Sequence, residues 1–130
     1  MQKIARLDVE RLSYDEVEAG PVVAKTSDYS VLASDSGKLL VANKGGTFTF
    51  TLPAVAVGKG CVWDFIQLQD QNMVVTGTST DVMVGKNSTG HDKVTFSTTS
   101  EKIGAACRII CDGTYYYFFN TSDCTATLSG

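Results

Sequence analysis

From Tyr29 onward, short runs rich in Val, Ile, Thr, Phe and Tyr recur, separated by Gly, Asn, Asp and Ser. This is the pattern of strands joined by turns. The runs place strands at 29–33, 39–43, 47–52, 61–69, 73–76, 81–84, 93–97, 105–111, 114–120 and 124–128. The run 47–52 alternates most cleanly. Phe48, Phe50 and Leu52 fall on one side and the threonines on the other, giving one buried and one solvated face. Pro53 closes that strand, because it has no N–H to donate to a ladder. No apolar period of three helical turns occurs after residue 29. Many short strands at close spacing predict an all-β body over 29–130, an antiparallel sandwich or barrel.

Residues 1–28 pattern differently. Ile4, Leu7, Val9 and Leu12 stand among charged residues and fit neither the strand nor the helix period. One local signal stands out: Ser13 and Glu16 match a capping box, with Leu12 and Val17 at the positions of a hydrophobic staple. Gly20 and Pro21 end that helix, so it covers about 14–19. A helix under two turns is unstable alone in water and needs a surface to dock on. The reading is an N-terminal arm over 1–28, extended apart from this turn.

The sharpest turn signal is Asp112-Gly113 between two apolar runs. It predicts a two-residue type I′ hairpin pairing Cys111 with Thr114, Ile109 with Tyr116 and Cys107 with Phe118. One face then carries Cys107, Ile109, Tyr116 and Phe118. The other carries Arg108, Ile110, Tyr115, Tyr117 and Phe119, with Arg108 opposite Tyr117 as a cation–π pair. An antiparallel hairpin normally buries only one face. The second face therefore needs a cover, from a second layer, the arm or another subunit, and for the last of these Arg108, Ile110, Tyr115, Tyr117 and Phe119 are the candidate interface residues.

Charge refines this division. The chain holds 14 acidic and 11 basic residues, for a net charge of −3. That balance argues against binding nucleic acid phosphates, which calls for a basic surface, and against a polybasic membrane contact. No run approaches the length of a membrane-spanning helix, and the start MQKIARLDVERL has no apolar core of a secretory signal. Ten of the 25 charges fall within residues 1–28. The body relies instead on Thr, Ser and Gly.

Chemistry-bearing motifs are scarce. Cys61, Cys107, Cys111 and Cys124 have no CxxC spacing and lie in apolar runs, which makes them small core residues rather than metal ligands or disulfide partners. Cys107 and Cys111 are four apart on one strand, about 13 Å, too far to bridge. Trp63 and Phe65 share one side of their strand and read as core, with Val62, Asp64 and Ile66 on the other. Ser36-Gly37-Lys38 lacks the upstream Gly and the following Ser or Thr of a phosphate loop, so Asp35-Ser36-Gly37 reads as a turn. His91 sits in the segment GKNSTGHD with Asp81 and Asp92 near in sequence, but without metal-ligand spacing, and reads as a solvated loop histidine. Two N-x-[ST] sequons, at Asn87 and Asn120, carry little weight without an export signal. No catalytic residue, metal or cofactor is assigned, and the chain is not expected to be an enzyme.

The body nonetheless has a recognisable layout. Asp35-Ser36-Gly37-Lys38 is followed by Phe48-Thr49-Phe50-Thr51-Leu52-Pro53, an aromatic strand around Trp63–Phe65, and Cys111-Asp112-Gly113-Thr114-Tyr115-Tyr116 near the end. This resembles the small β-modules of tailed-bacteriophage virion proteins: head decoration (cement) proteins, head fibres and tail-fibre domains. The likeness covers residues 29–120, and Tyr115 or Tyr116 stands where Trp is commoner. It implies a jelly-roll or tulip-like β-fold. For a single module with a short arm, it implies a homotrimeric structural protein on the outer surface of the capsid, made in the host cytoplasm. Its partner would be the major capsid protein, whose subunit contacts it stabilises, with no nucleic acid or membrane partner. Under that resemblance, Lys3, Ile4, Arg6, Leu7, Val9, Arg11, Leu12 and Tyr14 are the candidate capsid contacts. The alternative is a receptor- or glycan-binding module of a phage fibre.

Overall fold

The computed structural model describes residues 21–130. The predicted helix near 14–19 and the eight candidate capsid contacts lie outside the described residues. Among the described residues there are twelve strands: β1 Val22–Lys25, β2 Tyr29–Ser30, β3 Leu39–Ala42, β4 Phe48–Leu52, β5 Val62–Gln67, β6 Met73–Gly77, β7 Met83–Gly85, β8 Ser88–His91, β9 Lys93–Phe96, β10 Ala106–Cys111, β11 Tyr116–Asn120 and β12 Thr127–Ser129. They form two sheets, one of seven strands in the order β1-β3-β5-β10-β11-β7-β8 and one of five in the order β12-β9-β6-β4-β2. The all-β sandwich expected from the sequence is therefore the fold.

The sheets are mixed rather than purely antiparallel. Through β6 the chain alternates between them: β1, β3 and β5 lie side by side and parallel in the larger sheet, and β2, β4 and β6 do so in the smaller. Parallel neighbours need a long crossover between them. Here a strand of the opposite sheet supplies that crossover, so the first half winds as a flattened coil. The second half adds antiparallel pairs, including β10 with β5 and β9 with β6.

Two stretches hold strands that the sequence reading does not place. Within the predicted arm, Val22–Lys25 pair with Leu39–Ala42 at the edge of the larger sheet. The stretch around His91 is not a loop: β8 pairs with β7 across Lys86-Asn87, both at positive φ, the signature of a type I′ turn.

The core lies between the sheets. Phe48, Phe50 and Leu52 are fully buried, as the alternation of their strand requires, and so are Trp63 and Phe65 opposite. The rings of Phe48, Phe50 and Phe65 pack in sequence as tilted pairs with centroids 4.5 and 4.7 Å apart. Cys61, Cys107 and Cys111 are buried, Cys124 is half-buried, and all four are free thiols. Burial drives the Cys107 thiol far above its ordinary pKa. Gln67 is buried too. Its amide donates to the Gln71 and Asn72 carbonyls and accepts from the Gln69 N–H, which fixes the turn into β6. Tyr116 anchors the C-terminal half. Its hydroxyl donates to the Pro53 carbonyl at 2.6 Å and accepts from the Ser79 N–H at 3.2 Å.

Candidate interaction face

Alternation fixes what each sheet shows on its outer side. The outer side of the smaller sheet carries Ser30, Thr51, Thr76, Lys93 and Ser129 in one row, and Thr49, Val74, Thr95 and Thr127 in the next. Threonine suits this position, because it is β-branched and can hydrogen-bond to water.

The larger sheet is finished differently. Across β1, β3, β5, β10 and β11 one outer row reads Val22, Leu39, Asp64, Arg108, Phe119. A second continues Ala24, Val41, Ile66 and Ala106. A third holds Val62, Ile110 and Tyr117, followed by Val84 of β7. Leu68 extends the β5 column. Val22, Leu68 and Phe119 are 58%, 52% and 48% exposed, and Ile103, at 63%, stands at the rim. Scattered exposed apolar residues are ordinary, but a contiguous apolar face marks an interaction site.

One ion pair interrupts this face. Asp64 and Arg108 are direct cross-strand neighbours, and the guanidinium donates through Nε and Nη2 to the two carboxylate oxygens at 2.9 and 3.0 Å. The two parallel bonds hold both side chains flat on the sheet. The hydrogen bond to Asp64, and then its charge, raise the Arg108 pKa further. The expected cation–π contact with Tyr117 is absent, because Arg108 lies opposite Phe119 and takes Asp64 as its partner.

The β10–β11 hairpin itself is shifted from the predicted register. Cys111 pairs with Tyr116 rather than Thr114, and Ile109 with Phe118 rather than Tyr116. The turn centres on Gly113-Thr114, with Gly113 at φ 94° and the Asp112 N–H donating to the Tyr115 carbonyl. A positive φ at the first central residue only is the pattern of type II′. A shift of two residues leaves every side chain on its original face. Arg108, Ile110, Tyr117 and Phe119 therefore share the outer side as expected, and Tyr115 falls in the turn. The Tyr115 and Tyr117 rings lie 6.1 Å apart, and the Tyr117 hydroxyl donates to the Asp112 carboxylate at 2.6 Å. That bond, and then the Tyr115 and Thr114 N–H groups, hold the Asp112 pKa below the carboxylate range, and the same bond raises that of Tyr117.

Sequence reasoning found the β10–β11 half of this face and missed the half supplied by β1, β3 and β5. A signal was present: Val62 and Ile66 lie opposite the core residues Trp63 and Phe65, so that strand too is apolar on both sides. A groove of about 380 Å³ runs across this half between Leu39, Ile66, Ala106 and Thr121, beside the ion pair. Elsewhere, His91 of β8 lies opposite Met83, and the Asp92 carboxylate accepts the Asp81 N–H. Among the described residues no three His, Cys, Asp or Glu side chains converge as a metal site, and no helix is long and apolar enough to cross a membrane.

No family model matches the chain, and no curated protein or solved structure is significantly similar to it.

Proposed function

We propose that this chain is a structural virion protein: a homotrimeric capsid decoration protein that binds the outside of a phage head and stabilises contacts between major capsid subunits. The observation that carries the reading is the apolar outer face of the larger sheet on a sandwich whose other outer face is clad in Thr and Ser. That asymmetry fits a subunit built to associate. The sequence likeness of residues 29–120 to phage β-modules supports the virion setting, and the charge-dense residues 1–20, with Ile4, Leu7, Val9 and Leu12 among them, are the segment assigned to the capsid. The mechanism is mass action: a protein that binds only the assembled shell stabilises it.

The test is sedimentation of the full chain, alone and with undecorated capsids, beside a variant lacking residues 1–20. The reading expects co-sedimentation of the full chain and loss of capsid binding in the shortened trimer. A shortened trimer that still binds removes the role of residues 1–20, and a full chain that ignores capsids overturns the decoration function. A second reading, a glycan- or receptor-binding module, is favoured by the paired Tyr115 and Tyr117 rings beside Asp112. Binding on a glycan array without capsid affinity would select it.

A further inference from the structure

We infer that the outer face of the larger sheet is the surface on which a second copy of this chain docks. The inference deepens the proposal above and rests on it only for the number of copies. Three features point to a like partner rather than a different one. The first is charge. Asp64 and Arg108 are the only charged side chains on the outer side of β1, β3, β5, β10 and β11, and each neutralises the other within the chain. The face carries no net charge, so a copy approaches without like-charge repulsion, whereas a charged partner has no unpaired charge to meet.

The second is shape. The exposed Phe119 projects from β11, at one side of the face. The groove lined by Leu39, Ile66, Ala106, Arg108 and Thr121 lies next to it, from β3 to the end of β11. Each copy thus offers a projection beside a recess. A second copy can meet this pair either across a two-fold axis or head to tail, and a head-to-tail contact closes into a ring when the rotation permits. The third is size. The outward positions of these strands, with Leu68 and Val84, occupy about 4.8 by 6.7 Å each and together cover roughly 450 Å². Two such surfaces bury about 900 Å², close to the ~1,000 Å² at the lower end for a specific interface.

The experiment measures the mass of the full chain by sedimentation equilibrium across a dilution series, with three substitution variants and a chain lacking residues 1–20. The wild type is expected to associate. Replacing Ile66, Ile110 and Phe119 together by Thr gives this face the residue that the other sheet already displays, and should leave a monomer. A cooperative melt of that variant shows that it folds. Independently, Asp64→Arg sets two guanidinium groups side by side and should dissociate the assembly at low salt. The double exchange D64R/R108D restores the pair and should restore association. A wild type that stays monomeric overturns the inference, as does a folded Thr variant or Asp64→Arg variant of unchanged mass. Association seen only in a chain lacking residues 1–20 assigns the face to that segment, and also overturns the inference. A dimer in place of a trimer upholds the face and withdraws the trimer from the proposed function. Association without capsid binding leaves this inference standing and the decoration reading overturned, and a monomer that binds capsids does the reverse.

Discussion

Asp35 is the buried carboxylate among the described residues, and its surroundings explain how the fold tolerates it. Its oxygens accept the Tyr29 hydroxyl at 2.7 Å, the Leu32 N–H at 2.9 Å and the Lys38 ammonium at 3.3 Å. Burial pushes its pKa up, but those three donors more than offset it, and the net shift is downward from 3.8. A folded-state pKa below the unfolded one adds stability that is present above about pH 4 and lost as pH falls through the folded value. Asp35→Asn should therefore cost about 2 kcal/mol at pH 7 and flatten the loss of stability on acidification. Urea unfolding at pH 7 and pH 3 measures both, and parallel losses in the two proteins would remove Asp35 from the acid response. The reverse sign holds for Tyr29, whose hydroxyl is pushed up to about 12 by burial and by Asp35. Its contribution is full below pH 10 and disappears as pH rises toward 12. The sequence showed Asp35 as a turn residue and nothing more. Its burial depends on β5, far along the chain: Gly37 donates to the Val62 carbonyl, and Trp63 Nε1 donates to the Leu32 carbonyl.

Among the elements, the turns show how far local chemistry could be read. Asp112-Gly113 has a strong type I′ composition, yet that turn requires positive φ at Asp112 as well. The Asp112 carboxylate instead accepts the Thr114 and Tyr115 N–H groups, both at 2.8 Å. This side-chain turn moves the reversal one residue onward. Lys86-Asn87 is the opposite case. Its composition is ordinary, and the pairing of β7 with β8 imposes φ of 49° and 64° on two residues that are not glycine. Left-handed backbone is costly for Lys and lighter for Asn. Replacing the pair by Asn-Gly should raise stability by about 0.5 kcal/mol, or ~2 °C in Tm. An unchanged or lowered Tm would mean that the strain is already relieved. The strands were largely legible, because a two-residue period is a local property. Their pairing was not, because alternation is the same in parallel and antiparallel ladders. The short β1 and β8 were missed for a related reason: VVAK and STGH have no alternation of their own, and their neighbours make them strands.

For the whole molecule, the winding of the first half explains why the body begins earlier than composition suggests. The density of charge up to Asp28 made 1–28 look like one segment, but the coil needs β1 to cover the edge of β3. The Leu39 N–H donates to the Pro21 carbonyl, the Asn43 N–H donates to the Lys25 carbonyl, and Val23 packs against the core. The Lys25 ammonium lies 4.0 Å from the centre of the Tyr29 ring, joining β1 to the second sheet. Asp28 ties the same stretch to the next coil, accepting the Lys44 ammonium at 3.0 Å and the Thr49 N–H at 3.1 Å. Two of the charges that suggested an arm are thus fasteners of the sandwich. Removing residues 21–28 in addition to 1–20 should lower stability by about 3 kcal/mol relative to removing 1–20 alone. Burial of Val23 accounts for about half of that, and the lost hydrogen bonds for the rest. It should also free the edge of β3, leaving Leu40 without its neighbour and the sheet open to pairing with other chains. Denaturant unfolding of the two shortened proteins, with light scattering to detect aggregation, reads both effects. Equal stability would mean that β1 is an ornament of the sheet edge, and would return the start of the body to Tyr29.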